Sequence, residues 1–288
     1  MDERDLGARL QQARLQAGLT QQQLCQQAEL SYSTLTKIER GAIKSPSIFT
    51  IQRIAGAIGV NLDVLLGGGA HTASPSKSKL LRSKTGVRFV YFDINGCLVR
   101  FFHGAFTRIA ADTGASIDLI ERTFWHYSDQ ACRGKLTLEQ FDAELAKALD
   151  VPSIDWMDYY LDTVEPIAAM QELVQWASER YQVGLLSNSM PGFIDALRAR
   201  ELLPGISFDA IIDSSVVHAI KPEERMFAEA TEAAHCPAAD ILLIDDERPN
   251  LMAAEKSGWH VLWFDESRLE DSLARIRAAL EPEENPAR

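Results

Sequence analysis

The chain has 288 residues, of which 46% are hydrophobic and 24% are charged, and it carries a net charge of −12. This length predicts two or three compact units, and the composition is ordinary for a soluble globular protein. No apolar run approaches the ~20 residues that a membrane-spanning helix needs, and the polar N-terminus is unlike a signal peptide, so we expect a cytoplasmic protein without membrane contact. The four cysteines form no C-x-x-C pair, which favours reduced, packed thiols over a metal site or a disulfide framework.

The charge is unevenly distributed along the chain. Residues 1–70 carry 7 basic and 6 acidic side chains, and residues 71–88 carry 5 basic and no acidic ones. Residues 89–288, in contrast, carry 17 basic and 35 acidic side chains. Phosphate backbones repel such an acidic segment, so only the N-terminal part is expected to approach nucleic acid.

Residues 1–66 have the pattern of a small all-α domain of five short helices. Apolar residues at helical spacing predict a first helix over 6–17. Three residues are suitable N-caps for the second, third and fourth helices: Thr20, Ser31 and Ser47. A short fifth helix is predicted over 62–66.

The segment LTQQQLCQQAELSYSTLTKIERG, residues 19–41, resembles the helix-turn-helix (HTH) of the lambda-repressor-like (Xre) family. The resemblance covers residues 6–66 and rests on the spacing of eight residues: Gln21, Leu24, Ala28, Ser31, Leu35, Ile38, Glu39 and Gly41. Glu29 departs from the family pattern, which often has Gly in the turn between the two helices. The resemblance implies a double-stranded DNA operator as partner, with a homodimer on a palindromic site as the expected mode.

The third helix predicts which side chains meet the DNA. Three residues face away from its apolar side and are, by the resemblance, the expected base readers: Tyr32, Ser33 and Lys37. Gln21, at the start of the preceding helix, and Thr34 are expected to contact phosphate. Solvation alone would also explain a polar outer face, but the full five-helix pattern favours DNA binding.

Residues 67–86 separate this domain from a second unit over 87–281. They are rich in Gly, Ser and Lys and have little to bury, which predicts a flexible basic linker. Its lysines either attract phosphate non-specifically or only keep the segment solvated.

The second unit opens with an apolar run, VRFVYFDINGCLV, over residues 87–99. The run predicts a buried parallel strand that ends at Asp93, and the Asn95-Gly96 pair predicts a tight turn. Open α/β sheets bind ligands at the carboxyl ends of their strands, where Asp93 stands. Three later stretches are expected to meet it: Leu185–Ser189, Lys221-Pro222 and Ile241–Asp246.

Residues 100–165 show helical patterns and no strand pattern, which predicts a helical insertion. After Pro166, helices alternate with four predicted strands: Gln182–Leu186, Ala210–Asp213, Ile241–Ile244 and His260–Phe264. Such alternation predicts a parallel, doubly wound α/β sheet.

These segments together resemble the haloacid dehalogenase (HAD) superfamily, whose Rossmann-like core carries a helical cap inserted after the first strand. The matching order is a strand-end Asp, a strand-end Ser-Asn, a Lys-Pro before a helix, and a strand-end Asp-Asp. Asp93 or Asp245 alone would be better explained as an ordinary strand-end residue, but four matches in order favour the resemblance. The expected fold is therefore multidomain: an all-α HTH domain, then a HAD-like α/β domain whose cap spans about 100–165.

The resemblance assigns a role to each matching residue. Asp93 would be the nucleophile that forms an aspartyl-phosphate. Ser187 and the backbone of Asn188 would hydrogen-bond the phosphoryl oxygens, and Lys221 would neutralise charge. Mg²⁺ would be held by four residues: Asp93, Asp245, the main-chain carbonyl of Asn95 and, partly through water, Asp246.

Asn95 departs from the family pattern, which usually has a second Asp two positions after the nucleophile. That Asp protonates the leaving group and later activates water, and an amide can do neither. We therefore expect a rate loss of about 10²–10⁴-fold, with binding of Mg²⁺ and phosphate retained. Some relatives also lack this Asp, so inactivity does not follow strictly.

Three functions remain open on the sequence alone. The first is a transcriptional regulator whose HAD-like domain binds Mg²⁺ and a small phosphorylated metabolite with impaired or no turnover. The second is a working phosphatase of small phosphoesters of the sugar-phosphate type, with an HTH domain that controls its own expression. The third is an inactive body that serves as a dimerisation or docking platform. Five residues of the cap either face the cleft or pack within the cap: Phe102, His103, Trp125, His126 and Arg133.

Overall fold

The computed structural model describes residues 6–17, 19–28, 30–41, 43, 46–58 and 81–283. The chain divides into two compact units, Met1–Ser76 and Lys77–Arg288. The described helices of the first unit are α1 (Leu6–Gln16), α2 (Gln21–Gln27), α3 (Tyr32–Glu39) and α4 (Ile48–Ile58). The predicted fifth helix over 62–66, most of the predicted linker and Glu29 lie outside the described residues.

Local sequence fixes the starts of α2 and α3. The hydroxyl of Thr20 accepts a hydrogen bond from the backbone N–H of Gln23, whose side chain accepts one from the backbone N–H of Thr20. This capping box satisfies two N–H groups that the helix itself leaves unpaired. Ser31 caps α3 by accepting from the N–H of Thr34. Ser47, directly before α4, accepts from the N–H of Thr50 at 3.2 Å, so all three predicted N-caps are confirmed.

The first unit has its own apolar core and one buried ion pair. The core is formed by residues from all four described helices, among them Leu10, Leu24, Leu35 and Ile54. Arg14 on α1 donates from Nε to Oε1 of Glu39 on α3 over 2.7 Å, and the two side chains are 7% and 2% exposed. Gln21 donates from Nε2 to the second carboxylate oxygen of Glu39 at 2.7 Å. These contacts join α1, α2 and α3.

The second unit is built on a five-stranded parallel sheet with the order β3-β2-β1-β4-β5. Its strands are β1 (Phe89–Phe92), β2 (Gln182–Ser187), β3 (Ala210–Asp213), β4 (Ile241–Asp245) and β5 (His260–Trp263). At the centre, Phe92 of β1 pairs with Leu185 of β2 and with Ile244 of β4. The carboxyl ends of these three strands therefore meet at one edge of the sheet, where the predicted site residues stand.

The helices described in the second unit are α5 (His103–Thr113), α6 (Ile117–Cys132), α7 (Leu138–Ala148), α8 (Trp156–Thr163), α9 (Ala168–Ser178), α10 (Phe193–Ala199), α11 (Ser214–Val217), α12 (Glu224–Ala234), α13 (Arg248–Lys256) and α14 (Leu269–Ala279). Helix α6 extends to Cys132, with buried Ser128 and Ala131 on the inner face of its last turns. Helix α14 has no counterpart among the predicted elements. Within the described ranges, no helix is both long and apolar enough to cross a bilayer.

Both faces of the sheet are covered. Alternate residues of β1 point into different cores, as a pleated strand requires. Val90 and Phe92 belong to one core together with α9, α14 and the cap, whereas Phe89 and Tyr91 belong to a second core with α12 and α13. The predicted doubly wound parallel sheet is confirmed.

Helices α5 to α8 form the cap, which is inserted after β1 and joined to the core by a paired neck. The N–H of Arg100 donates to the carbonyl of Glu165 at 2.8 Å, and the N–H of Ile167 donates to the carbonyl of Leu98 at 2.9 Å. The guanidinium of Arg100 also pairs with the carboxylate of Glu165 and with that of Glu266 in the core. The chain thus leaves and re-enters the core at adjacent points.

Candidate active site

Lys221 is buried between two carboxylates at the carboxyl edge of the sheet. Its Nζ lies 2.8 Å from Oδ1 of Asp93 and 2.6 Å from Oδ2 of Asp245. The side chains of Lys221 and Asp245 are 1% and 0% exposed. An unpaired charge at such depth is strongly destabilising, so the three groups depend on one another. Three of the predicted site residues therefore share one network.

Asp245 is held by further donors. Nδ2 of Asn250 on α13 lies 3.1 Å and 3.2 Å from its two carboxylate oxygens, and the backbone N–H of Glu247 donates to Oδ1 at 2.8 Å. With Lys221 on Oδ2, both oxygens of Asp245 are engaged by donors. Sequence reasoning missed Asn250, whose one signal is its place in the helix that follows the strand-end Asp-Asp.

A second set of ligand atoms lies beside this network. Carboxylate oxygens of Asp93 and Asp246 and Sγ of Cys97 lie within 4.8 Å of one another. Burial raises the pKa of the Cys97 thiol well above its usual range. The two aspartates supply the carboxylate oxygens that a hard cation takes. Gly96, at φ +86°, makes the arrangement possible, because a Cβ there would stand 2.2 Å from Oδ2 of Asp246.

Burial governs the ionisation of this cluster. It raises the pKa of Asp93 to about 6, an effect that Lys221 opposes and Asp245 enhances. It also raises the pKa of Asp246 to about 7, with the charges of Asp93 and Asp245 adding to the rise. Burial alone would lower the pKa of Lys221, but its two carboxylate partners outweigh burial and raise that pKa. The carboxylates repel one another, and a divalent cation would relieve that repulsion.

The side chain of Asn95 is held by the cap. Tyr160 of α8 donates its hydroxyl to Oδ1 of Asn95 at 2.6 Å. Burial, assisted by the charge of Asp93, raises the pKa of Tyr160 far above its usual value, so the hydroxyl keeps its proton. The amide of Asn95 retains its N–H donors and one lone pair of Oδ1, and it has no titratable proton. Sequence reasoning did not identify Tyr160, which lies 65 positions further along the chain.

Ser187 and Asn188 end the neighbouring strand β2. Oγ of Ser187 is buried and has no hydrogen-bond partner among the described residues, although buried polar groups are normally paired. Such a hydroxyl suits a phosphoryl oxygen. The amide of Asn188 accepts from the N–H of Lys221 at 2.7 Å and donates to its carbonyl at 3.0 Å. Asn188 thereby fixes the segment that presents Lys221.

A cavity of about 320 Å³ extends from this edge toward the cap. Its polar lining includes Asp93, Asn95, Asn188, Lys221, Asp246 and Asn250. Six aromatic residues also line it: Phe101, Phe102, Phe124, Trp125, Trp156 and Phe193. Of the five cap residues considered from the sequence, Phe102 and Trp125 line this cavity, whereas His103, His126 and Arg133 are not among its lining residues. Arg133 pairs instead with Glu223.

In the first unit, α3 carries the predicted DNA-contacting side chains. The three predicted base readers are exposed: Tyr32, Ser33 and Lys37. Thr34 is half-buried and its hydroxyl lies 2.7 Å from that of the cap residue Ser31. Gln21 is already ordered, since it donates to Glu39 and accepts from the hydroxyl of Tyr32 at 2.9 Å. These side chains lie opposite buried Leu35 and Ile38.

Two family models match the chain. The helix-turn-helix model matches residues 10–65, and the haloacid dehalogenase-like hydrolase model matches residues 87–258. A search of curated proteins finds no match.

Solved structures share the fold of the second unit. A predicted HAD-like family hydrolase from Porphyromonas gingivalis is 24% identical over 66% of this chain and 98% of that chain, with a TM-score of 0.56. A HAD family enzyme from Bacteroides thetaiotaomicron, solved as a magnesium complex, is 19% identical over 66% of this chain and 98% of that chain, with a TM-score of 0.58. The L-2-haloacid dehalogenase of Xanthobacter autotrophicus, solved with chloropropionic acid covalently bound, is 19% identical over 68% of this chain and 85% of that chain, with a TM-score of 0.50.

Both resemblances drawn from the sequence, and the fold class they implied, are confirmed. The helix-turn-helix match indicates DNA binding, and the second unit has the fold of a haloacid dehalogenase-like hydrolase. The chain belongs to the haloacid dehalogenase-like hydrolase family and carries an N-terminal helix-turn-helix domain of the Xre type.

Proposed function

We propose that this chain is a DNA-binding transcriptional regulator whose HAD domain binds Mg²⁺ and a small phosphorylated ligand, with impaired or no turnover. The observation that carries the proposal is Asn95, which stands where the HAD pattern has an acid/base Asp and which Tyr160 holds at 2.6 Å. An amide has no titratable proton to exchange with a leaving group or with water. A homodimer on a palindromic operator belongs to the same proposal.

The residues at the sheet edge fit Mg²⁺. Carboxylate and carbonyl oxygens are the ligands that this hard cation takes, and two carboxylates of raised pKa lie together here. Asp93, Asp246 and the main-chain carbonyl of Asn95 would hold the ion. Asp245, the fourth ligand predicted from the sequence, has both carboxylate oxygens engaged by Lys221, Asn250 and the N–H of Glu247, so we assign it to positioning Lys221 instead. When bound, Mg²⁺ would neutralise charge on the phosphoryl oxygens.

The chain's own groups support binding of a phosphoryl group more than its release. The ammonium of Lys221 stands 2.8 Å from Asp93, and the hydroxyl of Ser187 is unpaired. Both would stabilise phosphoryl oxygens beside the nucleophile. Hydrolysis of an aspartyl-phosphate needs a base to deprotonate water, and Asn95 cannot act as one. Hydrolysis of the aspartyl-phosphate is therefore the step that slows.

The test is titration of the purified chain onto its own promoter fragment, with and without Mg²⁺ and inorganic phosphate. We expect specific binding whose midpoint shifts when Mg²⁺ and phosphate are both present. Asp93→Ala and Lys221→Ala should keep DNA binding and lose the shift. Absence of DNA binding under every condition would remove the proposal. A shift that survives both substitutions would favour a docking platform instead.

A working Mg²⁺-dependent phosphatase is the second candidate. The intact contacts of Lys221 with Asp93 and Asp245 favour it, because the nucleophile and its charge partner are in place. A steady-state phosphatase assay with Asp93→Asn as the blank separates the two functions. Sustained hydrolysis over many turnovers would establish the enzyme, and a rate equal to the blank would exclude it.

A further inference from the structure

The cap end of the cavity has the chemistry of a site for an aromatic ligand. The rings of Phe101 and Trp125 are nearly parallel, with an interplanar angle of 18° and centroids 6.2 Å apart. Trp125 is 51% exposed, although Phe102, Phe124 and Trp156 beside it are buried. An indole that lines a cavity and keeps half its surface open offers a face on which another ring can stack.

The charges of the cavity exclude a second anion on the ligand. Among the lining residues, Lys221 is the one Lys or Arg, and Asp93 and Asp245 already pair with it. Asp129 and Glu247 add negative charge to the wall. A polyhydroxylated ligand would also lose hydrogen bonds to water against the aromatic rings, and each unpaired hydroxyl weakens binding by about 5- to 150-fold. The aromatic part of the wall therefore disfavours a sugar ring.

The amide of Asn95, which stands where the family pattern has an acid/base Asp, also favours an aromatic ligand. Without a general acid, the oxygen that leaves phosphorus must depart as an anion. A phenolic oxygen has a pKa of about 10, compared with about 15.7 for water, which is close to an aliphatic alcohol. An aromatic hydroxyl compound can thus leave without a proton, whereas a sugar hydroxyl cannot.

We propose that the ligand of this site is a phosphate monoester of an uncharged aromatic hydroxyl compound, and that Asp93 takes its phosphoryl group. The inference rests on the proposed function, since it needs a phosphoryl group beside Asp93. The bond between Oδ of Asp93 and phosphorus forms as the aryl oxygen–phosphorus bond breaks. The electron pair of that bond stays on the aryl oxygen, which later takes a proton from water.

The phosphorylated state then persists. Asn95 cannot activate water against the aspartyl-phosphate, so each chain retains one phosphoryl group. The first turnover is fast and leaves the HAD domain phosphorylated, and later turnovers wait for slow hydrolysis of the aspartyl-phosphate.

Binding is tested first on Asp93→Asn, which cannot accept the phosphoryl group. In the presence of Mg²⁺, 4-nitrophenyl phosphate, glucose 6-phosphate and inorganic phosphate are titrated by calorimetry. The aryl ester should bind about ten-fold more tightly than the sugar phosphate. When Trp125→Ala is added to this variant, the ratio of the Kd for glucose 6-phosphate to the Kd for the aryl ester should fall about five-fold. The Kd for inorganic phosphate should stay unchanged. The matched control is Trp176→Ala, which lies on α9 and outside the cavity. It should change neither the ratio of the two ester Kd values nor the Kd for inorganic phosphate.

Transfer is tested on the natural chain by rapid mixing with 4-nitrophenyl phosphate and Mg²⁺. We expect release of one equivalent of nitrophenolate per chain, followed by a slower steady rate. After acid quenching, the mass of the intact chain should increase by the mass of one phosphoryl group. Asp93→Asn should show neither change.

The outcomes distinguish this inference from the proposed function. If inorganic phosphate binds with Mg²⁺ but the aryl ester binds no more tightly than glucose 6-phosphate, the inference fails and the proposed function stands. If neither phosphate nor ester binds, both fail. Tight aryl binding without a burst or a phosphorylated chain overturns the transfer step.

Discussion

Asn95 places an amide two positions after Asp93, where the family pattern usually has a carboxyl, and on this exchange the proposed loss of turnover depends. Around it, Lys221 bridges Asp93 and Asp245, and Asn250 fixes Asp245 from the other side. Charge compensation for phosphoryl transfer is therefore present in this chain. The group that a complete hydrolytic cycle still requires is a proton shuttle beside the nucleophile.

Asn95→Asp should restore that shuttle. We expect steady-state hydrolysis of 4-nitrophenyl phosphate to rise by about 10²–10⁴-fold, because the new carboxyl can activate water against the aspartyl-phosphate. The measurement is the initial rate at saturating Mg²⁺, with fold integrity followed by circular dichroism. The double variant Asp93→Asn/Asn95→Asp is the control and should return the rate to the blank. A folded Asn95→Asp protein with an unchanged rate would contradict the role given to Asn95.

At the scale of elements, a carboxylate of another helix accepts a hydrogen bond from the first backbone N–H of α8. Asp142 of α7 accepts a hydrogen bond from the backbone N–H of Trp156 at 3.0 Å. Burial raises the pKa of Asp142 from 3.8 to about 6, with that hydrogen bond opposing the rise. Because the pKa of Asp142 is higher in the folded than in the unfolded state, its protonated carboxyl stabilises the fold. This stabilisation is complete below about pH 4 and is lost as the pH rises through 6.

Asp142→Asn should therefore raise the free energy of unfolding at pH 8 more than at pH 4. Its amide oxygen can still accept from Trp156, but it carries no charge to bury. The site is only partly buried and solvent screens it, so the difference should be on the order of 1 kcal/mol. Urea unfolding at the two pH values measures it, with exposed Glu172→Gln on α9 as the control. An equal effect at both pH values would show that the charge is not the cause.

Elements with local signals were predictable from the sequence, and those that depend on distant partners were not. Residues close together in the sequence determine the capping box at Thr20, the strand ends and the Asn95-Gly96 turn. Helix α14 was missed, because its buried Ile276 stands among charged residues that weaken the apolar pattern. The Tyr160–Asn95 hydrogen bond could not be predicted, since only the folded cap brings these residues together.

At the scale of the whole molecule, charge separates the two units by role. The N-terminal segment is nearly neutral and the HAD domain is strongly acidic, so we expect DNA affinity to depend on a few side chains of α2 and α3. Lys37 is exposed there and is the cation among the three predicted base readers.

Lys37→Ala should weaken operator binding more than binding to random DNA. Loss of one base contact is expected to cost about 1–3 kcal/mol of discrimination. Fluorescence anisotropy on both DNAs at one fixed salt concentration measures the ratio. Lys147→Ala, whose side chain is 79% exposed in the acidic unit, is the matched control and should leave the ratio unchanged. An equal loss on both DNAs would make Lys37 a phosphate contact instead.

The neck at Leu98–Arg100 and Glu165–Ile167 has an evolutionary consequence. Because the inserted stretch departs and returns through two hydrogen-bonded crossings, it can be exchanged by recombination as one module. Such a swap would change which compounds are admitted while Asp93, Lys221 and Asp245 stay untouched on their strands and loop. The residues that select a ligand and those that would hold its phosphoryl group thus lie on separate segments, and an exchanged cap must again place a donor where Tyr160 meets Asn95.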